Sequence, residues 1–269
     1  MPTILRRGSA GHAEALVPPN GSKRETSGRT KSRVYSVLNI VLLSLFLIMA
    51  LSTKAKAEEQ IDPERWIREA ETAHGQVGDY RAIFHKQERV EGKLTEEETV
   101  LFKFERPFKV YMKWVKSPYK GRELLYVEGW NNNRMMVRDS GITGMITVNL
   151  DPKGSLAMKG NRRPITDSGL DHLRRGIKDK ELEFKKVGEE AVYRRRTQRV
   201  EILSPRNEAK DYYCYRATLN LDLEKKVPIK VQIYNWENNL VEDYAYEDLR
   251  FNVGLSDADF SPKNPEYRF

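Results

Sequence analysis

The chain has 269 residues and carries 47 Lys and Arg against 39 Asp and Glu, a net charge of +8. Nine of those basic residues and two of the acidic ones fall within residues 1–57, so the remaining stretch of about 210 residues is close to neutral and loses the charge argument for nucleic-acid binding. The single cysteine, Cys214, excludes an intramolecular disulfide, so stability must come from the core.

The N-terminus reads as a leader. Lys23, Arg24, Arg29, Lys31 and Arg33 precede an apolar run over residues 34–51, and Ala55-Lys56-Ala57 follows it. A basic segment, an apolar segment and an Ala-x-Ala site predict a signal peptide cut after Ala57 and a chain exported to the periplasm. The alternative is an inner-membrane anchor formed by residues 34–51. Residues 58–269 are then one domain, long enough to bury a sizeable core.

Asp62-Pro63-Glu64 predicts a helix start, with Asp as cap, Pro at the first helical position and an acid in the first turn. Trp66, Ile67, Ala70, Ala73 and Val77 recur on one face until Gly75 and Gly78 stop the helix. Beyond Gly78 the chain reads as strands. They are expected over residues 80–90, 97–104, 109–116, 123–128, 134–138, 145–149, 198–203, 212–221, 228–236 and 241–251. Asn131-Asn132-Asn133, Asp139-Ser140-Gly141, Asp151-Pro152-Lys153-Gly154 and Glu237-Asn238-Asn239 supply the turns between them. One helix is expected to interrupt the meander, over residues 165–178, with Leu170, Leu173 and Ile177 on one face.

The stretch from Phe102 to Trp114 is the most informative. Two alternating runs meet at Arg106-Pro107, placing Phe102, Phe104 and Arg106, then Val110, Met112 and Trp114, on one face. Such an aromatic wall must be covered by core or by a ligand.

Signatures of catalysis are missing from the sequence. There is no nucleophile elbow, phosphate loop, dinucleotide fingerprint or His-Glu-x-x-His. His74, His85 and His172 are separated in sequence, and a triad of Ser140, His172 and Asp167 has no support beyond residue type. No clustered His and Cys set points to a metal, and no cofactor is expected. Cys214, inside Tyr212-Tyr213-Cys214-Tyr215, reads as a buried small hydrophobe.

The order of elements and several motifs resemble the LolA-like carriers of bacterial lipoproteins, a superfamily that includes LolB-like and anti-sigma-regulator domains. Tyr80-Arg-Ala-Ile-Phe84 is similar to the first strand of that family. Phe102-Lys-Phe-Glu-Arg-Pro107 is similar to its strand ending in Arg-Pro, and 110–114 to the aromatic strand after it. Val127-Glu128-Gly129 resembles the next turn, and Ser256-Asp-Ala-Asp-Phe-Ser-Pro262 the closing segment. Within the superfamily the sequence looks closest to an uncharacterised exported branch. One departure is clear: Lys86 stands where the family's Gln would be, with Gln87 next.

The resemblance implies an α+β fold that is mostly antiparallel: an unclosed, strongly curved β-barrel with helices covering its concave face. It implies a non-enzymatic binding protein whose hollow takes up the acyl chains of lipids or lipoproteins, working beside envelope membrane proteins and without nucleic acid. Arg106 is carried over as the residue that holds the lid closed, with Phe108 beside it. Phe84 belongs to the first-strand motif, while Phe102, Phe104, Met112 and Trp114 join the hydrophobic hollow by alternation. The alternative is a structural or regulatory protein-interaction module of the cell envelope with no lipid ligand. A hydrolase built on carboxylates is a third reading.

Overall fold

A computed structural model describes residues 63–141, 146–170, 181–206 and 210–269. The expected leader lies outside these residues. Helix α1, Pro63–Gly75, begins at the proline and ends at the glycine. Strands β1 (Asp79–Val90), β2 (Lys93–Leu94), β3 (Glu98–Glu105), β4 (Lys109–Trp114), β5 (Glu123–Val127), β6 (Met135–Arg138) and β7 (Thr147–Leu150) follow. A single helical turn, α2 (Ser155–Met158), and a 3-10 turn (Ile165–Asp167) separate them from β8 (Glu183–Val192), β9 (Arg195–Leu203), β10 (Arg216–Asp222), β11 (Pro228–Tyr234) and β12 (Leu240–Phe251).

The strands form one antiparallel sheet in the order β7-β6-β5-β4-β3-β1-β12-β11-β10-β9-β8, with β2 paired only to β1. The outermost strands, β7 and β8, do not pair with each other, so the curved sheet stays unclosed. Chain reversal at each turn makes neighbours of consecutive strands. There are exceptions: β2 branches off β1, so that β1 pairs with β3, and the consecutive strands β7 and β8 do not pair with each other. The central β1–β12 pair is the last, and it joins the two halves of the chain through eight register positions from Tyr80↔Phe251 to Glu88↔Glu242.

The predicted hairpin forms as its alternation requires. Phe102 pairs with Met112, Phe104 with Val110 and Val100 with Trp114. These residues join Tyr80, Phe84, Leu124 and Tyr246 in the main core on the inner face of the sheet. Tyr80 stacks on Phe104 with ring centroids 5.0 Å apart, and Phe84 stacks on Tyr246 at the same distance. On the far half of the sheet, Val200, Ile202, Leu219 and Val231 form a second cluster against which Trp66 of α1 packs, while Ala73 of α1 packs on the main core.

The outer face of β4 and β5 is covered by the end of the chain. Tyr111, Leu125 and Phe260 are buried together, with Leu255, Tyr267 and Phe269 packed on them. Tyr267 lies flat on Tyr111, ring centroids 3.8 Å apart and 8° from parallel. The 3-10 turn Asp257–Phe260 that delivers Phe260 is opened by a capping box between Ser256 and Asp259. Lys103 donates to Asp259 at 2.8 Å, and the backbone N–H of Arg268 donates to Glu123 at 2.9 Å.

Two expectations change. Strand β8 was not anticipated: Glu183–Val192 is charged on both faces and largely exposed, so the alternation that marks a half-buried strand is missing. Of the helix expected over 165–178, the 3-10 turn Ile165–Asp167 is described, and residues 171–180 lie outside the described residues.

Candidate functional site

The inner face of the sheet encloses a cavity of about 590 Å³. Its apolar wall is built by alternation along adjacent strands: Phe84 from β1, Val100 from β3, Met112 and Trp114 from β4, Leu124 from β5 and Tyr246 from β12. Residues two apart on each strand point the same way, and antiparallel pairing aligns them into rows. The segment from Pro152 to Gly169, carrying α2 and the 3-10 turn, forms the opposite wall. That segment closes tightly where it meets the aromatic rows. The Leu170 N–H donates to the Tyr80 hydroxyl at 3.1 Å. Gly169 has φ +91°, and a β-carbon there would lie 2.9 Å from the same hydroxyl, so only glycine lets the backbone approach this closely.

One end of the cavity is polar. Lys86, Glu88 and Glu98 line it, and pairing sets Lys86 beside Glu98 and Tyr244, and Glu88 beside Glu242. Glu88, Glu98 and Glu242 are all buried. Burial of a carboxylate demands partners, and they are present. Glu88 accepts from the Arg162 N–H at 2.9 Å, from the Lys86 ammonium at 3.3 Å and from the Tyr244 hydroxyl. Glu98 accepts from Trp114 Nε1 at 2.6 Å. Glu242 takes Arg162 Nε and Arg163 Nε, each at 3.3 Å, and the Tyr213 hydroxyl. Burial together with Glu242 pushes the Tyr213 phenol up to about 12. The arrangement fastens the segment at Asn161–Arg163 to strands β1 and β12. Across the cavity Arg122 pairs with Asp139 at 3.0 and 3.1 Å and holds that carboxyl below its usual range.

The residues singled out in the sequence divide. Phe84, Met112 and Trp114 line the cavity. Phe102 and Phe104 are buried among the stacked aromatics behind it, and Phe108 packs edge-on against Phe104 and Tyr126; none of the three belongs to the lining. Arg106 sits at the far side of the hairpin turn, where its Nε donates to the Val77 carbonyl at 2.7 Å and its own N–H to the Gly78 carbonyl at 2.9 Å. It therefore ties the exit of α1 to the β3–β4 turn. The polar end was missed, although its signal is in the sequence: Glu88 continues the Phe84 row, and Glu98 precedes Val100 by two, just as Glu242 precedes Tyr244.

Of the other candidates, His85 and Cys214 are described. His85 is held between Glu97 at 3.1 Å and Glu247 at 3.0 Å and stacks on Tyr193. Burial pushes the Cys214 thiol up to about 11, which keeps it protonated and a poor nucleophile. His172 lies outside the described residues. Among the described residues, no group of three His, Cys, Asp or Glu side chains could hold a metal, and no helix is long and apolar enough to cross a membrane.

The model of a family described as "Protein of unknown function (DUF1571)" matches residues 77–269. No curated protein matches the chain. Among solved structures it is similar to lipoprotein LppX of Mycobacterium tuberculosis, at 13% identity over 73% of this chain and 99% of that one, with a TM-score of 0.46. It is also similar to a DUF1329 family protein of Desulfovibrio piger, at 14% identity over 75% and 98% with a TM-score of 0.40. A LolA superfamily protein of Nitrosomonas europaea matches at 10% identity over 75% and 98%, with a TM-score of 0.33.

Proposed function

The chain belongs to the DUF1571 family, and from that premise we propose that it is an exported, non-enzymatic binding protein that accommodates acyl chains in the hollow of its sheet. The observation that carries this reading is the cavity of about 590 Å³ on the inner face, inside the range of ligand sites. The aromatic and aliphatic rows that line it would take up methylenes without chemistry. Each buried methylene is worth about 0.8 kcal/mol, so ten of them supply about 8 kcal/mol before the cost of lost freedom. α1 and the Pro152–Gly169 segment act as the cover, and Arg106 holds the exit of α1 in place. The polar end gives the ligand a direction: its chain lies along Met112, Leu124 and Phe84, and its polar group lies near Lys86 and Glu98.

The test is native mass spectrometry of the purified protein, followed by lipid extraction. The expected result is bound acyl lipid, or uptake of a fluorescent fatty acid when the protein is stripped. An empty protein that takes up no fatty acid would overturn the proposal.

A further inference from the structure

We propose that the mouth of the cavity docks on an anionic phospholipid bilayer, with Leu156 and Ile146 entering the acyl region and Lys153 and Lys159 meeting the headgroups. This rests on the acyl-chain reading and adds where the chain is exchanged. Leu156 and Ile146 are 72% and 70% exposed, the most exposed large hydrophobic side chains among the described residues, and both line the cavity. Val148, 44% exposed on β7, lines it too. Single exposed apolar residues are ordinary, whereas three on the rim of one opening mark a contact surface.

The local structure explains the exposure. Among the described residues β7 is an edge strand, paired only to β6, and Val148 on it stays partly exposed at the cavity. α2 is a single turn bracketed by Lys153 and Lys159, both exposed, and it carries Leu156 outward.

The chemistry favours a bilayer over a protein partner. Aliphatic tips flanked by lysines match the acyl boundary and its anionic headgroups. Protein interfaces are instead enriched in Trp, Tyr and Arg and depleted in Lys. There is also a reason for contact. An acyl chain that passes through water loses about a factor of four for each methylene exposed, and a mouth seated on the membrane avoids that loss.

Co-sedimentation with vesicles of phosphatidylcholine alone, and of phosphatidylcholine with one quarter phosphatidylglycerol, tests the proposal. Wild type and variants carry the same N-terminus, so that any leader contributes equally. Leu156→Glu and Ile146→Glu should each weaken partition onto the mixed vesicles about tenfold or more. Lys153→Glu with Lys159→Glu should weaken it only on the anionic vesicles, and added salt should do the same. As a second reporter, Leu156→Trp should show an emission blue shift on the mixed vesicles. Fatty-acid uptake from solution is measured on each variant in parallel, so that loss of docking is read separately from any change in the cavity. If Leu156→Glu and Ile146→Glu bind vesicles like wild type, or if they instead convert a dimer to a monomer, the docking proposal falls. If vesicle binding responds as expected but no fatty acid enters the cavity, the carrier reading falls and the docking surface stands.

Discussion

Leu124 and Leu125 are neighbours on β5 and face opposite ways. Leu125 is fully buried under the chain's own C-terminal segment, with Tyr111 and Phe260. Leu124 belongs to the inner face and lines the cavity. Both faces of this part of the sheet are apolar, so the difference lies in what the rest of the chain supplies. On the outer side it supplies Phe260, Tyr267 and Phe269, together with the Arg268 guanidinium, which at 3.2 Å joins Lys113 of β4 at 3.3 Å in neutralising buried Glu123. On the inner side the Pro152–Gly169 segment touches the aromatic rows at Tyr80 but leaves space beside Met112 and Trp114. A filled face and an unfilled face on the same strands separate packing that serves stability from packing that serves a ligand.

The sharpest way to break that comparison is to substitute the two leucines. Leu125→Ala should cost about 2–5 kcal/mol of stability, because a close-packed outer layer cannot collapse into the gap. In a domain of this size that is a fall in Tm on the order of 10 °C. Leu124→Trp should change stability by less than about 1.5 kcal/mol, since the added ring enters existing space, and should cut bound acyl chain by half or more. Denaturant unfolding and lipid extraction read both. Equal destabilisation by the two substitutions would show that the inner face is as tightly filled as the outer.

The hairpin at the centre of this comparison was legible from residues alone because its period of two is strict on both strands. Phe102, Phe104, Val110, Met112 and Trp114 share the face the alternation assigned them. Alternation could not say which of them meet empty space. Phe102 and Phe104 are stacked under Tyr80, whereas Met112 and Trp114 reach the cavity, and that depends on where residues 152–170 cross. Strand β8 escaped because an exposed edge is written in charged residues such as Lys185, Lys186, Glu189 and Glu190, which also serve to keep an edge from pairing with other chains. The polar end escaped for the opposite reason: Glu88, Glu98 and Glu242 occupy inward positions, but charged residues are ordinarily read as solvated.

Arg106 tests the cover rather than the wall. Its Nε bond to the Val77 carbonyl fixes the exit of α1. Arg106→Leu should therefore cost about 1–3 kcal/mol, the penalty for a carbonyl deprived of its donor. Amide exchange over residues 73–78 should quicken, and bound fatty acid should leave faster. Unchanged exchange and release would remove Arg106 from any role in holding the cover, leaving it a turn residue.

The smallest expected effect concerns the strap on the outer face, where Lys103 and Asp259 meet. Burial alone would raise the Asp259 carboxyl, but the hydrogen bond from Lys103 and those from Ser256 outweigh it and hold it below the usual range. Burial likewise would lower Lys103, and hydrogen bonds to Asp259 and Tyr267 outweigh it in the other direction. A depressed carboxyl stabilises above its unfolded value of 3.8 and loses that contribution as pH falls through the folded value. A raised ammonium stabilises below 10.5 and loses its contribution as pH rises through the folded value above it. The pair is thus intact across neutral pH and fails first in acid. Asp259→Asn should cost less than about 1 kcal/mol at pH 7 and flatten the acid limb of the stability curve below pH 4, while bound acyl lipid at pH 7 stays at the wild-type level. Loss of lipid in this variant would mean that the strap shapes the cavity through the shared strands, and the two faces would then have to be treated as one coupled unit.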